Sequence, residues 1–115
     1  MTLEECYNKM GANYLDTMKR IDNEKLITMI VKSFPQDNSY QILKDGLANK
    51  DIEVAFRGAH TLKGICLNLG FDQLSTNVCS ITEILRAKSF DGTDELFSKI
   101  TDTYNNTCNI IKELD

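Results

Sequence analysis

Apolar residues recur along most of the chain at intervals of three and four positions, which is the spacing of an amphipathic helix. Alternation with a period of two is not sustained anywhere, and one proline and six glycines leave few of the turns that a β-rich fold needs. The pattern predicts the following helices: one capped by Thr2 and ending near Gly11, residues 12–20, one capped by Asn23 and interrupted at Pro35, residues 39–48, one capped by Asp51 and reaching Leu69, one capped by Asp72, and residues 93–114.

The ends of the predicted helices carry recognisable signals. Thr2 and Glu5 have the spacing of a capping box, and Gly70 is placed to end the central helix in a left-handed conformation. Short connections between long amphipathic helices favour antiparallel neighbours. The sequence therefore predicts an all-α protein, an antiparallel four-helix bundle with short additional N-terminal helices, in which residues 1–115 form a single domain.

Composition and charge narrow the classes of partner. The chain has 115 residues and a formal net charge of −4, whereas nucleic-acid binding depends on a concentrated basic surface, so we expect no nucleic-acid partner. No run of about 18 apolar residues is present, and the N-terminal residues lack the apolar core of a signal peptide. We therefore expect a cytoplasmic monomer that does not bind membranes. Its initial methionine and its length favour a freestanding protein over a part of a larger kinase.

The four cysteines, Cys6, Cys66, Cys79 and Cys108, show no Cys-x-x-Cys spacing, and each lies in an apolar periodic segment. We interpret them as reduced, buried thiols that act as small hydrophobic side chains. The alternative is a zinc site that combines three of them with His60. We expect the chain to hold no metal or cofactor.

The segment AHTLKGICLNLG, residues 59–70, places the only histidine of the chain, His60, in a predicted helix that also contains a glycine. A glycine inside a helix costs about 1 kcal/mol relative to alanine, so its presence needs a reason. At 100° per residue, one side of this helix collects small and apolar residues: Ala55, Gly58, Leu62, Ile65, Cys66 and Leu69. The opposite side collects Glu53, Phe56, Arg57, His60, Lys63, Gly64 and Leu67. His60 is therefore predicted to face solvent.

The neighbours of His60 favour a function over a passive surface position. Lys63, one turn away, can place a cation against an anion carried by the imidazole. Gly64 lets the backbone or a loop of another protein come close, unless it only relieves crowding with a neighbouring helix. Phe56 and Leu67 bracket the histidine with exposed apolar surface of the kind that marks a partner site, although each can also be a scattered surface residue.

These residues resemble the signature of histidine-containing phosphotransfer (HPt) domains, His-x-Leu-Lys-Gly followed by a hydrophobic residue and a glycine. The matching positions are His60, Leu62, Lys63, Gly64, Leu69 and Gly70. Arg20 and Phe34 lie where such domains often carry an arginine near the first helix and a phenylalanine near the end of the second. Ile65 departs from the family, which commonly has a smaller serine or alanine there.

The resemblance implies that His60 accepts a phosphoryl group from an aspartyl-phosphate of a response-regulator receiver domain and passes it to another receiver. Lys63 would offset the new charge, and Leu62, Leu69 and Gly70 would be structural. The implied partner-binding residues are Phe56, Arg57, Gly64, Leu67 and Asn68. The implied partners are receiver domains, each binding its own Mg²⁺, and a hybrid histidine kinase. Such a protein carries phosphoryl groups without kinase activity of its own.

Other classes of function compete with this interpretation. A complete histidine kinase does not fit, because no Gly-rich phosphate loop and no ATP-binding domain follow the helices. A kinase dimerisation module usually has an acidic residue after its histidine, where this chain has Thr61. A non-catalytic helical adaptor that docks a receiver or signalling partner through the same face is the main alternative. Acid-labile, base-stable phosphate on His60 separates phosphotransfer from docking alone.

Overall fold

A computed structural model describes residues 1–115, which form helices joined by short connections. In chain order the helices are α1 Leu3–Met10, α2 Tyr14–Ile21, α3 Glu24–Ser33, α4 Ser39–Ala48, α5 Ile52–Leu69, α6 Asp72–Arg86 and α7 Thr93–Ile111. A 3-10 turn, Phe34–Gln36, follows α3 and contains the proline. None of the helices combines the length and the apolar character that a membrane span requires. The prediction of an all-helical fold is confirmed.

Helices α4 to α7 form the four-helix bundle. Each packs against the next in chain order. The first and the last helix of the bundle also contact each other, since Tyr40 of α4 stacks on Phe97 and Tyr104 of α7. The Tyr40 hydroxyl also lies 2.8 Å from the hydroxyl of Thr101 on α7. Helix α1 packs against α7 and α2, and α2 packs against α3. The predicted bundle with short additional N-terminal helices is confirmed.

Helices α4 and α5 approach each other through two glycines. A Cβ built on Gly46 would lie 2.3 Å from the backbone nitrogen of Ala55, and one built on Gly58 would lie 2.5 Å from the backbone nitrogen of Leu43. No side chain fits at either position without moving a helix. Gly58 precedes His60 by two positions, or about 200° of helical turn. The contact therefore turns His60 away from the bundle.

Aromatic side chains connect the N-terminal helices to the bundle. Tyr7 of α1 contacts Tyr14 and Phe71 at ring-centroid distances of 5.8 and 5.9 Å. Phe34 contacts Phe71 and Tyr104 at 5.2 and 5.6 Å. Edge-on and tilted pairs at these distances are favourable beyond the area that they bury. The short helices are thus stabilised by core packing, since helices of this length are marginal alone in water.

The cysteines are free thiols, with Cys6 and Cys66 buried and Cys79 and Cys108 half-buried. Desolvation by burial raises the pKa of the Cys6, Cys66 and Cys108 thiols. Their interpretation as small hydrophobic residues is confirmed for the two buried ones, and the other two are only partly covered. No three His, Cys, Asp or Glu side chains come together in a group that could hold a metal ion. The alternative zinc site with His60 is therefore wrong.

The predicted signals at several helix ends are confirmed. Thr2 and Glu5 form a reciprocal capping box at the start of α1. The side chains of Asn23 and Asp51 accept backbone hydrogen bonds at the starts of α3 and α5. Gly70 ends α5 with φ of 72°, a left-handed conformation in which glycine carries no steric cost.

Three boundaries differ from the prediction. Helix α2 begins at Tyr14 rather than at residue 12, because the side chain of Asn13 caps it. Asp72 is the first residue of α6 and not its cap, since the capping position is occupied by Phe71. Its carboxylate still favours the helix start through the helix dipole. Helix α7 ends at Ile111 because the last residues change to hydrogen bonds between positions three apart.

Candidate functional site

His60 lies in the middle of α5 with its side chain exposed to solvent, as the sequence predicts. The imidazole forms no hydrogen bond and no ion pair with any other residue. Both of its ring nitrogens are therefore free of protein partners. A neutral imidazole in this setting offers a nucleophilic lone pair to an approaching molecule.

The residues that follow His60 on the same side of α5 leave open space beside it. Lys63 is half-buried and takes part in none of the ion pairs, so its ammonium group has no carboxylate partner. A Cβ built on Gly64 would have no heavy atom within 4 Å. The alternative that Gly64 relieves crowding with a neighbouring helix is therefore wrong. Leu67 is 49% exposed and Asn68 is exposed, so this side of the helix is accessible to a partner.

Phe56, one turn before His60, stacks its ring on the imidazole at 5.6 Å between centroids and an interplanar angle of 17°. The guanidinium carbon of Arg86, on α6, lies over the Phe56 ring, 5.0 Å from its centroid. Phe56 is half-buried rather than exposed as expected, and Arg86 is the group that lies over it. Arg57 is exposed and forms no ion pair.

Arg20 of α2 holds the C-terminal end of α5. Its guanidinium donates hydrogen bonds to the backbone carbonyls of Leu67 at 3.0 Å and Asn68 at 2.7 Å, and it is paired with Asp16. The last carbonyls of a helix have no partners within the helix, and a cation there interacts favourably with the helix dipole. Arg20 thus fixes the end of the helix that carries His60.

The positions with an implied structural role lie in the interior. Leu62 is 1% exposed and Leu69 is completely buried. The hydroxyl groups of Tyr7 and Thr17 donate hydrogen bonds to the Leu69 carbonyl at 2.7 and 2.9 Å. A Cβ built on Gly70 would lie 2.3 Å from the Thr17 hydroxyl oxygen. These contacts hold the C-terminal end of α5 against α1 and α2.

The exposed face around His60 does not line a concave pocket. The surface depressions of the protein are lined by other residues, and neither His60 nor Lys63 belongs to any of them. Small-molecule sites are concave and bury most of their ligand. The geometry therefore favours a partner that brings its own cavity to His60, as another protein domain can.

Comparisons with known proteins place the chain in a family. The family model described as Hpt domain matches residues 24–110, which include α5 and the motif around His60. No curated protein and no solved structure gives a significant match. Hpt domains carry out histidine phosphotransfer in phosphorelays, where they interact with receiver domains and kinases. With most of its length matched, the chain belongs to the Hpt domain family.

Proposed function

We propose that this protein is the phosphoryl carrier of a two-component phosphorelay. His60 accepts a phosphoryl group from the aspartate of one receiver domain and passes it to another. The observation that carries the proposal is the exposed imidazole of His60, whose ring nitrogens have no hydrogen-bond partner, within the residues that match the Hpt family. His60 lines no pocket of this chain, which suits a receiver that brings the phosphorylated aspartate in a cavity of its own.

The transfer step follows from the chemistry of imidazole. In the neutral ring one nitrogen carries a proton and the other has a free lone pair. The lone pair attacks the phosphorus, the nitrogen–phosphorus bond forms as the phosphorus–oxygen bond breaks, and the electron pair of the broken bond returns to the aspartate carboxylate. The ring then carries a positive charge and either keeps its proton or releases it to solvent. Transfer to the second receiver reverses these changes.

The partner domain supplies the rest of the machinery. Phosphoryl transfer depends mainly on positioning and charge neutralisation, and Mg²⁺ bound to the receiver provides the larger part of the positive charge. The proposed donors are receiver domains, including that of a hybrid histidine kinase. The proposed docking residues are Phe56, Arg57, Gly64, Leu67 and Asn68. We propose that the protein works as a monomer in the cytoplasm and that neither nucleic acid nor a membrane takes part.

Label transfer from receivers tests the proposal directly. Receiver domains carrying radioactive aspartyl-phosphate are mixed with the protein, and the label is expected to move to the chain in an acid-labile, base-stable form. An unlabelled second receiver added afterwards is expected to remove it. A receiver with asparagine in place of its acceptor aspartate is the control. Binding without any label transfer, for every receiver tried, would favour the docking adaptor instead.

Lys63→Ala is expected to slow transfer or to shorten the lifetime of the phosphohistidine while receiver binding stays largely intact. The Lys63 ammonium lies one turn from His60 and has no carboxylate partner. A charge-assisted contact to a phosphoryl group is worth about 1–3 kcal/mol, or roughly 5- to 150-fold in rate or equilibrium. Single-turnover transfer and phosphohistidine decay measure the effect. Lys63→Arg keeps the charge, and equal losses in both variants would show that charge is not the cause.

Gly64→Gln is expected to weaken receiver binding by about tenfold or more through steric exclusion, without loss of stability. The space over Gly64 is empty within 4 Å of a Cβ, and glutamine is a better helix former than glycine. Titration with a receiver and thermal melting measure the two effects. Gly64→Ala, which adds a single methyl group, is the control. A variant that lost stability but bound receiver normally would assign the glycine to packing within the bundle.

A further inference from the structure

The orientation of the His60 ring is set by an unusual partner. Histidines that take part in reactions commonly have one ring nitrogen held by a hydrogen bond to a carboxylate or a carbonyl. His60 has no such bond, and its one aromatic neighbour is Phe56, whose ring lies within 17° of parallel to the imidazole. The stack restricts rotation of the imidazole about its side-chain bonds while leaving both nitrogens free to react.

The Phe56 ring is itself held from α6. Arg86 lies over it with the guanidinium carbon 5.0 Å from the ring centroid, within the range of a cation–π interaction. The Nε atom of Arg86 is 3.3 Å from both carboxylate oxygens of Glu83, one turn earlier on the same helix. Arg86 thus contacts Glu83 through its Nε atom while its guanidinium carbon lies over the ring.

We propose that Arg86 is a positioning residue for phosphotransfer, which fixes the Phe56 ring and, through the Phe56 stack, the orientation of the His60 imidazole. Its effect on ring orientation is a property of the free protein, and its kinetic consequence rests on the proposed function. Nucleophilic attack requires the lone pair to point along the line of the breaking bond, and small misplacements lower the rate steeply. His60 has no polar partner that could hold this direction, and the Phe56 ring is its one aromatic neighbour.

The alternative role for Arg86 is direct charge neutralisation of the phosphoryl group. The two roles differ in their dependence on Phe56. If Arg86 acts through the ring, removing the ring leaves the arginine with nothing to act on. If Arg86 contacts the phosphoryl group directly, its loss has the same effect with or without the ring. A double-mutant cycle tests the positioning role, because an Arg86 that acts only through the ring has no further effect once the ring is removed.

The first test uses nuclear magnetic resonance of the unphosphorylated protein. The chain has a single histidine, so its imidazole CH resonances are unambiguous and report the ring current of the stacked Phe56. Arg86→Gln is expected to move these resonances towards the positions that they take in Phe56→Leu, and Arg86→Lys, which keeps a cation, is expected to move them less. Lys99→Gln removes an exposed cation from α7 and is the charge-matched control. Unchanged resonances in Arg86→Gln would overturn the proposal.

The second test is single-turnover transfer from a phosphorylated receiver at saturating concentration. Phe56→Leu is expected to lower the rate constant about tenfold, and Arg86→Gln about two- to fivefold, the value of an exposed cation–π contact. In the Phe56→Leu background, Arg86→Gln is expected to have no further effect. If Arg86→Gln lowered the rate constant equally in the wild-type and Phe56→Leu proteins, the positioning role would be overturned in favour of direct contact between Arg86 and the phosphoryl group. If no variant and no wild-type protein accepted phosphate, the proposed function would be contradicted. The resonances are measured without a receiver, so the first test would still decide whether Arg86 orients the His60 ring.

Discussion

Replacing His60 with glutamine is expected to abolish phosphate uptake entirely while the fold and receiver binding are retained. Glutamine keeps a polar side chain of similar reach but lacks the nucleophilic ring nitrogen. His60 is exposed and forms no hydrogen bond or ion pair, so its removal is expected to change stability by no more than about 0.5 kcal/mol. It is the only histidine, so no second imidazole can take over the label.

A control is needed to show whether phosphate uptake requires the surroundings of His60 or only an exposed imidazole. Asn105 is exposed on α7, and the double variant His60→Gln, Asn105→His returns an exposed imidazole to the chain at another place. We expect it to stay unlabelled, because no open glycine position accompanies it on that helix. Undiminished label in His60→Gln would end the phosphotransfer proposal. Label on Asn105→His would show that any exposed imidazole suffices.

The face of α5 that carries His60 could be predicted because it depends on one helix alone. The 100° turn per residue sorts side chains by local position, and the buried Leu62 and exposed His60 follow from that spacing. Helix caps are equally local, and the predicted caps Thr2 and Asp51 are confirmed. The predicted cap Asp72 is wrong, because α6 begins directly after Gly70 and Phe71, and Asp72 is its first residue.

The side chains from other helices that contact α5 could not be predicted from the sequence of α5, because they are distant from it along the chain. Arg86 reaches Phe56 from α6, and Arg20 reaches the carbonyls at the end of α5 from α2. Helical periodicity places neither residue near His60 in space. Gly46 illustrates the same limit, since nothing in its own segment indicates that the backbone of Ala55 lies against it.

Gly58→Ala and Gly64→Ala are expected to change stability in opposite directions. Both replace glycine by alanine inside α5, so both gain about 1 kcal/mol of helix propensity. At Gly64 the new Cβ meets no heavy atom within 4 Å, and the gain is expected to appear almost in full. At Gly58 the Cβ would lie 2.5 Å from the backbone nitrogen of Leu43, and we expect a net loss of about 1–3 kcal/mol from overpacking.

Urea unfolding followed by circular dichroism measures the free energy of unfolding of both variants. Because both replace glycine by alanine within α5, the difference between them does not contain the gain in helix propensity. Gly46→Ala is the reciprocal test, because its Cβ would meet the backbone of Ala55 at 2.3 Å, and it is expected to lose stability like Gly58→Ala. Wild-type stability in both would mean that α4 and α5 separate at no cost. The side of α5 facing the bundle would then be set by its apolar residues alone. A loss at Gly58 with a gain at Gly64 instead shows that the two glycines serve opposite faces, one closing the bundle and one leaving the His60 surface open.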